Sequence, residues 1–410
     1  MSSCWWSIGG SLLVGLFIAY LDRTNLSVAI PSVARNLGFA GGRFPAVSSW
    51  ALTIFLIGYA FANIFGGVAT RRFDPKPVVI CCFTLWSVAT LAVGFTSSLA
   101  VLLICRLILG LAEGVYWPQQ SRFAKAWFAP NELTKANAII QYYGQFLALA
   151  IGFIILTPIY DAFGWRVLFF MTGGLGIVLI VPLYIAKLRP ESEAPHAEPT
   201  PLATPPSLSL TLLGGPPFLL LVFSYIVQGM LFWGVTLWIP LAVRSIGFTG
   251  MAQAWASALP YFASLALAVP ISMVSDRTGQ RVLIAALGLI IPGALLLALP
   301  AVASGVGKLA LITVAMGYYT SSYTPNIWSV LQSTVPPRAV GSAAGIMNGL
   351  GAGGGGTLAG FLVGLLQGWT GSYMSGFVVL GALVVLGGLA LLAYGRLKAG
   401  APAAGLPVRS

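Results

Sequence analysis

The run Trp5-Trp6-Ser7-Ile8-Gly9-Gly10-Ser11-Leu12-Leu13-Val14-Gly15-Leu16-Phe17-Ile18-Ala19-Tyr20-Leu21-Asp22-Arg23-Thr24-Asn25-Leu26-Ser27-Val28-Ala29-Ile30 is largely apolar, yet an acid and a base stand side by side within it. A stretch of this length crosses a ~30 Å hydrocarbon core as a helix. Asp22 and Arg23 then lie at depth, where each costs roughly 2.5–3.5 kcal/mol on insertion scales. A chain that keeps both has a use for them. The functional reading is a solute or proton site inside a transporter. The structural reading is an inert ion pair, or side chains that snorkel to the surface.

The rest of the chain is built alike. Of its 410 residues, 58% are hydrophobic and 7% charged, with a mean hydropathy of +0.91. Soluble domains carry about 25% charge, so this composition reads as an integral membrane protein. Apolar runs recur near 6–30, 46–68, 78–97, 99–119, 136–160, 167–187, 217–243, 252–274, 281–301, 308–333, 341–366 and 373–395. The ten-residue alternation of a membrane barrel is absent. The expected fold is all-α, with twelve transmembrane helices in two six-helix bundles, an architecture common among transporters. The Pro-, Ser-, Thr- and Glu-rich stretch Leu188–Pro217 separates the halves. Residues 1–187 form the first bundle, 188–216 a cytoplasmic linker, 217–396 the second bundle and 397–410 a cytoplasmic tail. The first apolar run is too long, and lacks the basic leader, for a cleavable signal peptide.

A net charge of +12 would suggest nucleic acid in a soluble protein. Here the cations sit in short loops and set topology instead. Of the 21 Lys and Arg, fourteen fall on one side if both termini are cytoplasmic, among them Arg71, Arg72, Arg122, Arg277 and Arg281. Five fall in outer loops, leaving only Arg23 and Arg106 inside the membrane. The bias places both termini in the cytoplasm and the protein in the inner membrane. The acids sort likewise, leaving Asp22 and Glu113 at depth. Fully ionised, the four deep charges sum to zero. Cys4, Cys81, Cys82 and Cys105 show no metal-ligand spacing, and the only histidine, His196, lies in the linker. No metal or organic cofactor is expected, only protons as the coupling ion. No nucleophile–base constellation appears, so enzymatic activity is not expected.

The fourth run reads Arg106-Leu-Ile-Leu-Gly110-Leu-Ala-Glu113-Gly-Val-Tyr116-Trp117-Pro118. Arg106 and Glu113 are nearly two turns apart and share a helix face. Gly110 and Gly114 near that face permit close helix approach. A buried carboxylate is driven neutral without a cation and held ionised beside an Arg. One that alternates between these surroundings loads and releases a proton. The alternative is a permanent Arg106–Glu113 bridge that only fixes packing. Arg23 is the better fixed cation for an entering anion, because a guanidinium grips a carboxylate bidentately and does not deprotonate. Other polar and aromatic groups at mid-span are Tyr59, Gln141, Tyr142, Tyr143, Gln145, Gln228, Trp233, Trp238, Tyr318, Tyr319, Tyr323, Thr324, Asn326 and Asn348. Interhelical packing and solute contact are both open to them. The glycine-dense run Gly349–Gly356 suits close packing or bending of a moving helix.

The loop Ser275-Asp276-Arg277-Thr278-Gly279-Gln280-Arg281 resembles the cytoplasmic D-R-x-G-x-R motif of the major facilitator superfamily. The first-half copy, Gly66-Gly67-Val68-Ala69-Thr70-Arg71-Arg72-Phe73-Asp74, is degraded, with Arg71 where the family usually has Asp. Within the superfamily, three segments are similar to the anion:cation symporters, a group with bacterial sugar-acid symporters, sialin and vesicular glutamate transporters. They are Tyr20–Ala29, Arg106–Arg122 and Phe163-Gly164-Trp165-Arg166. Trp238-Ile-Pro240 and Asn348 fit the same pattern. The resemblance implies that Asp22 and Glu113 are the protonatable acids and Arg23 the substrate-binding Arg. Arg106 would pair with the acids, and Asp276 and Arg277 would belong to the gating loop. Tyr20, Tyr59, Gln145 and Asn348 match positions that contact the sugar acid. Tyr142 and Tyr143 replace a small polar pair, and Trp233 stands where a Tyr is common. That extra bulk points toward a smaller or aromatic acid.

The expectation is a proton-coupled symporter of an organic carboxylate, a sugar acid or similar anion, working by alternating access as a monomer. The alternative is a carrier of short or aromatic monocarboxylates, facilitative or sodium-coupled. A drug–proton antiporter is disfavoured by two deep arginines and by a fifth span without the antiporter Gly-Pro motif. A sensor would need a soluble signalling domain, for which the tail is too short.

Overall fold

Helix dominates because the spans carry their own backbone partners, the one open-ended solution hydrocarbon accepts. The computed structural model describes residues 4–70, 73–129, 136, 138–196, 215–335 and 340–400, and contains no strand among them. Ten helices among the described residues are long and apolar enough to cross a membrane. One of these, Gly144–Lys187, has 44 residues and breaks at Gly164, where φ is 79°. Only glycine adopts that angle without strain, so this helix divides there into two segments. A further 30-residue helix, Gly305–Thr334, is as long as the others but is not among these ten. Counted this way, the described helices are consistent with the twelve crossings that the apolar runs call for.

The helices are named in chain order: α1 (Gly10–Asn36), continued at its start by a π-helical turn from Trp5; α2 (Phe44–Thr70); α3 (Pro75–Phe95); α4 (Leu99–Trp127); α5 (144–163); α6 (165–187); α7 (Pro216–Ser245); α8 (Gly250–Thr278); α9 (Arg281–Leu297); α10 (Gly305–Thr334); α11 (340–370); and α12 (Tyr373–Gly400). Several ends run past the apolar stretches. α1 continues through Pro31 to Asn36, and α4 through Pro118 to Trp127.

Among the first six helices, α2 packs on α4, α3 on α4 and α6, and α1 on the α5–α6 unit. The α2–α4 seam runs on glycines. A Cβ at Gly110 would lie 1.8 Å from the Phe55 carbonyl oxygen, and one at Gly114 would lie 2.7 Å from that of Tyr59. The Phe163–Arg166 motif has a capping role. The Arg166 guanidinium donates to the carbonyls of Gly94 and Thr96 at the end of α3, at 3.0 and 2.9 Å, and stacks on Trp165. A cation there satisfies carbonyls that the helix leaves open.

Between the first six helices and the last six, α2 packs along α11, α8 packs on the α5–α6 unit, and α1 touches α7. α11 contains a π-helical segment, Gly349–Gly355. Its glycines alternate between neighbours: Gly349 and Gly353 meet Ile64 and Ala60 of α2, while Gly351 and Gly355 meet Tyr225 and Ile226 of α7. The run thus packs closely, as its composition suggests, and does so against both halves at once. Trp238, of the W-x-P motif, donates to the Gly360 carbonyl at 3.2 Å and ties α7 to α11.

After α6 the chain is pinned before it leaves the described residues at His196. Glu191 pairs with Arg122 of α4 at 2.5 Å, and the Glu191 N–H donates to Asp74, which also caps α3. Arg122 donates in turn to the Phe73 carbonyl. Arg71 and Arg72 lie outside the described residues, as does most of the expected linker.

The α2–α4 seam yields a contrast. Gly110→Val should lower the melting temperature sharply in mild detergent, by overpacking worth about 1–3 kcal/mol or more. Gly174→Val, with nothing within 4 Å of its Cβ, should leave it nearly unchanged.

Candidate functional site

The four deep charges converge in the first six helices. Asp22, Arg23, Arg106 and Glu113 are each no more than 2% exposed. α1 carries the first two and α4 the others, and the glycine seam sets α4's depth against α2.

Arg23 crosses to α4. Its Nε donates to Glu113 Oε2 at 2.5 Å, the only ion pair found for either residue among the described residues. Three aromatic rings close around the guanidinium: Tyr20 at 4.4 Å, Tyr59 of α2 at 5.1 Å and Trp233 of α7 at 5.5 Å from their centroids. Such contacts contribute about 2 kcal/mol or more each once desolvated. Phe55 packs edge-on to Trp233 at 5.4 Å and extends the cage. Tyr20, Tyr59 and Trp233 are therefore brought together on Arg23, from both halves of the chain.

Arg106 takes a different part from the one expected. No ion pair from Arg106 to Glu113 or to Asp22 is found among the described residues, and Glu113 is bonded to Arg23. Arg106 instead donates to the backbone carbonyls of Asp22 and Arg23, at 3.2 and 3.5 Å, and lies over Phe55 at 4.7 Å. Its Nε and Glu113 Oε1 are buried without partners. The cluster thus holds one unused donor edge and one unused acceptor. Asp22 stands apart, with both carboxyl oxygens buried and unbonded.

Asn348 joins the cage from α11, donating to the Tyr59 hydroxyl at 3.3 Å and to Asn63 Oδ1 at 2.9 Å. Gln145 is half-buried in α5 beside Gly144, which packs on Leu16 of α1, and forms none of these contacts. Arg277 is exposed in the last turn of α8, and the side chain of Asp276 lies outside the described residues. Several other mid-span polar groups pair among themselves. Tyr319 donates to Gln228, Ser275 to Asn326 and Tyr142 to the Ser264 carbonyl, while Tyr323 shares a hydrogen bond with Ser224.

Sequence reasoning passed over Phe55 and Asn63. Asn63 carried a usable signal, a polar side chain at mid-span. Phe55 carried none.

The Major Facilitator Superfamily profile matches residues 12–359. The chain is 28% identical over 403 residues to a probable sulfoacetate transporter of Cupriavidus necator, covering 93% of this chain and 92% of that one. It is 26% identical to a hexuronate transporter of Bacillus subtilis, over 96% of each. A probable galactarate/D-glucarate transporter of Escherichia coli is 32% identical over 41% of this chain and 38% of its own. Among solved structures, a bacterial homolog to the human lysosomal transporter Spinster, in an inward-facing and occupied conformation, superposes with a TM-score of 0.75. It covers 98% of this chain and 100% of that one, at 15% identity, a likeness of fold.

The buried pair makes a stability prediction. Arg23→Met leaves Glu113 unpaired and should cost about 3–5 kcal/mol, read as a lower melting temperature in mild detergent. Arg23→Met with Glu113→Leu should recover most of that loss.

Proposed function

This chain belongs to the Major Facilitator Superfamily, and from that premise we propose that it carries an organic carboxylate inward together with protons, by alternating access between two six-helix halves. The observation that carries the reading is the caged Arg23–Glu113 pair. A guanidinium held in an aromatic cage, facing one carboxylate, is a receptor for a second carboxylate. The names of the relatives, all of anion or sugar-acid transporters, support the same class.

In this reading, protonation of Glu113 frees Arg23 for the substrate. The anion then takes the place of the Glu113 carboxylate, and the site stays neutral. Release of both inside lets the Arg23–Glu113 bond re-form, so the empty carrier also returns neutral. Asp22 is the second acid that takes a proton. Arg106, bonded to the carbonyls of Asp22 and Arg23, holds α1 at the depth where this exchange occurs. Trp233 and Asn348 come from the second half, so substrate at Arg23 touches both halves and biases their relative packing.

The cage favours a compact acid within this class. Asn348 bonds both Tyr59 and Asn63 at the edge of the cage. A polyhydroxylated acid must break such pairs to satisfy its own hydroxyls, whereas a short carboxylate or sulfonate needs only Arg23 and the ring faces.

Proteoliposome uptake tests the whole reading. Labelled sugar acids, short carboxylates and sulfonates, and aromatic acids would be screened with and without an inward proton gradient. Gradient-driven accumulation of one acid is expected. It should be lost in Asp22→Asn and cut at least about tenfold in Arg23→Lys, which keeps the charge and loses the fork. Uptake indifferent to the gradient and to Asp22→Asn would remove proton coupling. Transport of organic cations alone would remove the anion reading.

A further inference from the structure

Asp22 faces away from the aromatic cage, toward α3 and α6. Its carboxyl looks onto the Thr172 hydroxyl of α6 and the Trp86 indole of α3 without a hydrogen bond of good geometry to either. Asn25, one turn further along α1, donates to Thr172 Oγ1 at 3.0 Å. That leaves Asn25 Oδ1 buried and unbonded, and Trp86 Nε1 is buried and unbonded as well. This pocket therefore gathers an unused N–H donor, an unused amide acceptor and a carboxyl with two unused oxygens, all fully or almost fully buried.

These groups suit a neutral acid. An ionised carboxylate here has no cation bonded to it, since Arg106 reaches only the Asp22 backbone carbonyl, and such a buried charge is strongly disfavoured. The neutral acid has one O–H donor and one carbonyl acceptor. Its O–H matches Asn25 Oδ1 or the Thr172 hydroxyl, and its carbonyl matches the Trp86 N–H. Glu113 and Arg106 of α4 are the charged groups that act on the carboxyl. Behind Trp86 stand the phenols of Tyr116 and Tyr184, hydrogen-bonded to each other at 2.6 Å, with the Trp86 and Tyr116 rings 5.2 Å apart. Cys82 lies one turn from Trp86 on α3.

We propose that Asn25 and Thr172 form a dock for the O–H of the protonated Asp22 side chain, with the Trp86 N–H as the counterweight that favours the ionised form, and that the three are positioning residues that set the pH at which the carrier loads its proton. The inference rests on the proton-coupled reading above. The dock lies on the opposite side of α1 from the substrate cage, within the first six helices. It acts on coupling and makes no contact with substrate.

The test is the external pH at which gradient-driven uptake is half-maximal. Trp86→Phe keeps the ring against Phe83, 4.1 Å away, and removes the N–H. A donor stabilises the ionised carboxylate more than the neutral acid, so its loss should move the midpoint alkaline by about one pH unit. Asn25→Leu removes an acceptor that only the protonated acid uses, and should move the midpoint acid by a similar amount. Opposite shifts from two substitutions are not the signature of loosened packing. On an Asp22→Asn background, neither change should alter the pH profile of substrate exchange. No shift in either variant, shifts of the same sign, or shifts that persist without Asp22 would overturn the dock while leaving proton coupling in place. Wild-type uptake indifferent to pH would overturn both.

Discussion

One charge-assisted hydrogen bond, from Arg23 Nε to Glu113 Oε2, makes the centre of this membrane protein tolerable. Two bare charges at this depth are expensive, and a pair with a short bond and no solvent is far less so. Much of the surrounding structure follows from keeping that pair. α1 and α4 must approach at the right depth, which the carbonyl grip of Arg106 secures. α2 must lie close enough to α4 to bring Tyr59 over the guanidinium, and glycines at 110 and 114 allow it. α7 must approach from the other half to place Trp233.

The two acids at depth are therefore not equivalent. Glu113 is bonded to a cation, Arg23, that lies in an aromatic cage. Asp22 sits among neutral donors and acceptors, turned to the other side of α1. A single sequence motif, acid followed by base, thus serves two compartments of one helix because adjacent residues on a helix point about 100° apart. Arg106 between them serves backbone rather than carboxylate, a role that spacing alone does not reveal.

Much of the architecture was legible in the chain because hydrocarbon leaves so few solutions. Runs of some twenty apolar residues had to be helices, and only Gly305–Thr334 was ambiguous on apolarity, since buried Tyr, Ser, Thr and Asn lower its mean. The identity of the deep charges was legible for the same reason, as so few were present. Their pairing was not. Arg106 and Glu113 share a face by spacing, but interhelical distance decided the outcome, and Arg23 lies closer. Trp233 and Asn348 reached the cage through packing between distant segments, which no local pattern encodes. Trp86 and Thr172 were overlooked because no local pattern ties either of them to Asp22.

The glycine run of α11 has a mechanical consequence. Side-chain ridges that interlock must be lifted past one another before two helices can slide, and that lifting adds to the activation barrier of any rocking motion. Gly349, Gly353 and Gly360 against α2, and Gly351 and Gly355 against α7, present almost bare backbone. α11 is thus a low-friction bearing between the halves: it holds them in close contact through dispersion forces yet offers few teeth to engage. The polar contacts of Asn348 with Tyr59 and Asn63 sit beside the bearing, and Tyr142 adds one at the Ser264 carbonyl of α8.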